Sequence, residues 1–114
     1  MLSHTLEDGV LVLTPQDDPG GEAQDTLTAL ISDLVQVHAP TPGVIVLGAG
    51  ATAPVINAVV GAHRMCRSLG VLLSVATPCA SARRRLQAAT AQGGGLVVHA
   101  RTETAIATAC AATA

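Results

Sequence analysis

The sequence predicts an α/β fold of order ββαβαβαβα, a mostly parallel sheet with an antiparallel N-terminal edge strand and helices packed on it. Three observations predict it. Asp8-Gly9 stands between two short apolar-rich runs, Leu2–Leu6 and Val10–Thr14, a hairpin signal because the turn needs residues that tolerate positive φ. Short apolar runs rich in β-branched residues recur at Val44–Leu47, Val71–Ala76 and Leu96–His99, as expected of strands covered on both faces. Between these runs lie longer segments with helical periodicity, so strands and helices alternate and the sheet is expected to be parallel with right-handed crossovers.

The hairpin supplies an edge strand and a second strand, and Pro15 to Gly21 is a polar Pro/Gly-rich loop carrying Asp17 and Asp18. Helix one is expected over Glu22 to His38. Leu27, Leu30, Ile31, Leu34 and Val35 form its apolar stripe, and Glu22 and Asp25 favour the positive end of its dipole. The run Ala39-Pro-Thr-Pro-Gly43 stops it. The stretch from Pro42 to Gly70 follows as strand, small-residue loop Gly48–Pro54 and helix. Pro54 suits a first turn, where amide protons lack partners in the helix. In this second helix, Ala53 to Leu69, the residues Val55, Val59, Ala62, Cys66 and Leu69 share one face with Ile56 and His63 beside it. Asn57, Gly61, Arg64 and Ser68 line the opposite face, and Gly70 is a C-cap glycine. Pro78 opens a third helix to about Ala91, Gly93–Gly95 breaks the chain, and Thr102 and Glu103 start a closing helix to about Ala112.

At 114 residues the chain is expected to form one domain over 1–114, large enough for a modest core without disulfides. It has no Phe, Tyr or Trp, so the core is built from Val, Leu, Ile, Ala and Met, and the stacking platforms of single-strand and RNA binders are missing. A net charge of −2 gives no general attraction to nucleic acid or an anionic membrane. Seven of the eight acids lie in the first 33 residues, and all six basic residues, every one Arg, lie from Arg64 onward. That asymmetry suits a dipolar surface that orients a partner; scattered solvated faces are the plainer reading. No apolar stretch approaches the ~20 residues of a membrane span, and Met1–Thr5 lacks the pattern of a signal peptide. Three widely spaced cysteines, Cys66, Cys79 and Cys110, suit reduced thiols in the cytoplasm.

Two local patterns suggest chemistry. Gly48-x-Gly50-x-x-Ala53 fits the dinucleotide fingerprint, in which a pyrophosphate rests on the amides of a helix start. Against it, Pro54 removes a donor, and no acid ends Val71–Ala76, where a ribose-binding carboxylate is expected. Cys79 and Arg85 stand at the spacing of a phosphate-wrapping thiolate loop. Yet that loop has no glycine, and Leu86 follows where a hydroxyl is usual, so an ordinary helix start with a solvated Arg face is the stronger reading. The histidines His4, His38, His63 and His99 are scattered at no ligand spacing, so neither metal nor cofactor is expected, and no set of residues argues for an enzyme.

Taken together, the hairpin strand Leu11–Thr14, the loop with Asp18, helix Thr26–Val37, strand Val44–Leu47, helix Ile56–Leu69 ending in Gly70, strand Val71–Val75 and the tail Val97–Ile106 resemble a STAS domain. These are the bacterial anti-sigma factor antagonists and their relatives, and the resemblance covers nearly the whole chain. It implies a STAS-like fold and a cytoplasmic, non-enzymatic module. Such a module binds an anti-sigma factor or related serine kinase and so regulates transcription, without nucleic acid or membrane as partner. The family's regulated serine lies in an Asp-Ser-Ser-Gly-like motif at the start of the second helix. Counted back from Gly70, that motif falls on Thr52–Val55, where the acid and both serines are absent and Thr52 is the only hydroxyl nearby. Losing the acceptor removes a switch in which phosphate adds up to ~2 negative charges. What the resemblance leaves is a partner-binding face made of Asp17, Asp18, Gly50, Thr52, Ala53, Pro54, Asn57, Gly61 and Arg64, with Thr52 as the candidate phosphoacceptor. An ordinary solvated helix face is the plain alternative for Asn57, Gly61 and Arg64. A small nucleotide- or dinucleotide-binding protein using the Gly48–Ala53 loop is the other function considered.

Overall fold

The computed structural model describes residues 2–15, 24–39, 41–48, 53–90 and 96–113. Its elements are β1 (Leu2–Glu7), β2 (Val10–Pro15), α1 (Gln24–His38), β3 (Gly43–Val46), α2 (Ala53–Leu69), β4 (Leu73–Ala76), α3 (Ala80–Thr90), β5 (Val97–His99) and α4 (Thr102–Thr113). One five-stranded sheet runs in the order β1-β2-β3-β4-β5, with β1 antiparallel to β2 and every other pairing parallel.

The Asp8-Gly9 turn forms as the sequence predicts. Both residues have positive φ, 53° and 76°, the backbone that lets a two-residue turn follow the twist of its strands. It pairs Glu7 with Val10 and so fixes the register of the hairpin through to Leu2 and Pro15.

Strand alternation divides the core into two layers. Leu11, Leu13, Ile45, Leu73 and Val75 pack with Leu27, Ile31 and Val35 of α1, the buried side of α2, and Ala82 and Leu86 of α3. Val10, Val12, Val44 and Ala76 point the other way, onto Ala105, Ile106 and Ala109 of α4. Three successive parallel crossovers of the same hand, each to the next strand along, carry α1, α2 and α3 to one face. The chain passes to the second face only after β5, so α4 stands there by itself among the described helices.

Helix two ends as the sequence predicts, through a left-handed residue. Gly70 has φ 73°, its N–H donates to Arg67 O at 3.2 Å, and the Val71 N–H reaches back to Cys66 O at 2.9 Å. This is the paired bonding of a Schellman cap, with Cys66 and Val71 both buried beneath it. The cap uses Val71, so β4 starts at Leu73 rather than Val71. Leu69, expected on the buried face, is 48% exposed. Helix three begins at Ala80, two residues after Pro78. The expected start of helix one at Glu22 and the Gly93–Gly95 break lie outside the described residues. None of the described helices is long and apolar enough to cross a membrane.

Candidate functional site

The four parallel strands end at one edge of the sheet, and helices α1, α2 and α3 set off from it. At β3 the strand runs out through buried Leu47, whose N–H donates to Ala76 O at 2.9 Å, to exposed Gly48. A Cβ placed on Gly48 would have nothing within 4 Å. Helix two rises from the same edge at Ala53, which is exposed, with Pro54 half-buried in its first turn. That turn holds no acid, so the positive end of the dipole is uncompensated by the helix's own side chains, whereas Arg67 complements the last turn.

Asn57 and Arg64 are exposed on the outer side of α2, as the helical spacing predicts. Ser68 extends the row and donates its hydroxyl to Arg64 O at 3.3 Å. Gly61 is half-buried and belongs to a different environment. A Cβ built there would stand 3.3 Å from Thr28 Cγ2 of α1, and Thr28 Oγ1 donates to Ala58 O across the crossing at 3.4 Å. The glycine is therefore where α1 and α2 come together, and of the α2 residues assigned to the binding face Ala53, Asn57 and Arg64 are the ones open to solvent. Asp17, Asp18, Gly50 and Thr52, assigned to this face from the sequence, lie outside the described residues.

At the end of β4, Thr77 is buried and fully engaged. Its N–H donates to His99 O at 2.9 Å, its hydroxyl accepts the Cys79 N–H at 3.3 Å, and its carbonyl accepts Arg83 Nη1 at 2.9 Å. Cys79 starts α3 by accepting the Arg83 N–H at 3.0 Å. Arg83, four residues on, shares the side of the helix that faces back to the strand, so its guanidinium closes this junction. Arg84 and Arg85 are exposed, and Arg85 is turned well over a right angle from Cys79 by the helical pitch. The thiol and the arginine of the phosphate-loop spacing do not come together.

His63 is buried on α2, 7% exposed. Among the described residues no group of three His, Cys, Asp or Glu side chains is placed to hold a metal. Burial pushes the Cys66 thiol up from 9.0 to about 11, so it is a protonated core residue and no nucleophile at neutral pH.

Sequence reasoning missed one feature, a groove beside α4. It is lined by Glu7 and Asp8 of the hairpin and by Glu103, Ile106, Ala107, Cys110 and Ala111. Its signal is the spacing of those α4 residues, which repeat at three and four, but the pattern reads equally well as part of a buried stripe.

The sequence matches no protein-family model and no curated protein.

Proposed function

We propose that the protein is a non-catalytic protein-interaction module resembling the anti-sigma factor antagonists. It binds an anti-sigma factor, or a related serine kinase or signalling protein, in the cytoplasm and so regulates transcription. The observation that carries this reading is the exposed start of α2 at the strand-end edge, where Ala53, Asn57 and Arg64 face solvent beside a mixed sheet with an antiparallel edge strand. The positive helix end and Arg64 favour an acidic surface on the partner. With Ala53 and Pro54 where the family motif has its serines, binding does not depend on phosphorylation at that motif.

The competing reading, nucleotide or dinucleotide binding at Gly48–Ala53, finds less support in the strand order. Dinucleotides bind where the order of parallel strands reverses, and β2-β3-β4-β5 runs without a reversal. Co-purification of the tagged protein, followed by titration with the recovered partner, tests the proposal. Arg64→Glu and Asn57→Glu should each weaken binding at least tenfold while leaving the thermal transition in place. Recovery of the free protein alone at micromolar concentration contradicts it. A thermal shift with nucleotides would support the competing reading, since ligand at 100 times its Kd stabilises by ~2.7 kcal/mol.

A further inference from the structure

The two faces of the sheet are unequally covered. Five strands at ~4.8 Å spacing set the outer two about 19 Å apart, and packed helix axes lie about 8–10 Å apart, so one helix leaves part of a face open. One face carries α1, α2 and α3, while α4 covers the other without a described neighbour. Its contacts fall on β2 to β5, and β1, which projects beyond it, is exposed from His4 to Glu7. Between α4 and the turn end of the hairpin lies the groove of about 1040 Å³ that sequence reasoning missed.

Its lining has a definite chemistry. Ile106, Ala107, Cys110 and Ala111 make an apolar wall along two turns of α4, and among the described residues the charged groups of the lining are Glu7, Asp8 and Glu103. The hairpin turn sits at the edge where the parallel strands begin. Helix α4 leaves β5 at the opposite edge and runs back toward that turn. The acids therefore bracket the apolar wall: Glu103 stands at one end, and Glu7 with Asp8 at the other. From Glu103 to Ala111 the helix rises about 12 Å. Between Glu103 and Ala111 the other exposed residues, Thr104 and Thr108, are small and uncharged, so another helix can approach closely.

We propose that this groove docks a basic amphipathic helix from another protein, its apolar side on Ile106 to Ala111 and its cationic side chains on the two acidic ends. Such a helix completes the half-filled layer. Matching the bracketed wall needs Lys or Arg about seven to eight residues apart, flanking Leu or Met on one side. The groove lies across the sheet from Asn57 and Arg64, so it is a second docking surface, independent of the function proposed above.

Two designed helical peptides with one apolar stripe test this, one carrying Arg at the flanking positions and one carrying Glu. The full-length protein should bind the Arg peptide saturably at micromolar concentration, with NMR shift changes at residues 7–8 and 103–111. Affinity should fall at least tenfold in Glu103→Lys and in Ala107→Arg, both exposed positions, and should weaken with salt. Circular dichroism confirms that each variant is folded, and either one suffices. Equal binding of the two peptides, shift changes confined to α2 and α3, or affinity unchanged in a folded variant overturns the proposal. So does concentration-dependent dimerisation of the protein that Ala107→Arg abolishes, which would make a second copy the occupant.

Discussion

Cys66 has no accessible surface and sits under the Schellman cap of α2, and that burial holds its proton in place well above the ordinary range. Its pKa is raised on folding, so its contribution to stability is fully present below pH 9.0 and is lost as pH rises toward about 11. Across that window the unfolded chain gives up a proton that the folded chain keeps. The loss is at most about 2.7 kcal/mol. The chain has no Lys and no Tyr, so few other groups titrate there. Urea midpoints measured below pH 9.0 and near pH 11 should fall in the wild type and fall less in Cys66→Ala; parallel curves would contradict the assignment. The position of Cys66 was legible, because a 3.6 period places it with Val55, Val59 and Ala62. The exposure of Leu69 was not, because periodicity assigns a side to a residue and says nothing of which neighbours reach it.

Between elements, the crossing of α1 and α2 is set by Gly61 against Thr28. Along α2 the glycine falls in line with Asn57 and Arg64, and the sequence therefore groups the three. The structure separates them because a residue without a side chain leaves room for Thr28 of the neighbouring helix. Replacing Gly61 with Leu forces the helices apart and should cost about 1–3 kcal/mol. Adding Thr28→Ala should recover part of that loss, measured by urea denaturation of the four proteins of the cycle. Strictly additive effects would show that Thr28 is not the neighbour that matters. The start of α3 teaches a related lesson. A Cys-to-Arg spacing suggests chemistry in one dimension, but the helical pitch brings Arg83 rather than Arg85 back to the strand end, where it bonds to Thr77 O.

At the scale of the molecule, the αβ alternation and the Asp8-Gly9 turn were enough to read a mostly parallel sheet with an antiparallel edge strand. Which face each helix takes, and the gap beside α4, were not legible, because they depend on strand order and not on any local pattern. Charge was partly legible. The arginines Arg64, Arg67, Arg84 and Arg85 are exposed on helices of the three-helix face, and the acids Glu7, Asp8 and Glu103 line the groove on the other. Exposed Asp33 on α1 and Arg101 just before α4 make the separation partial, so the difference in charge is local to the two surfaces. The proposed function rests on the first of them, and the most direct test is calorimetric titration of the intact protein with the co-purified anti-sigma factor or kinase, with and without ATP. The account predicts saturable binding that Arg64→Glu weakens at least tenfold. It also predicts that ATP leaves the affinity unchanged and adds no phosphate to Thr52 by intact mass. Binding indifferent to Arg64→Glu, or a phosphorylated Thr52 that releases the partner, would contradict it.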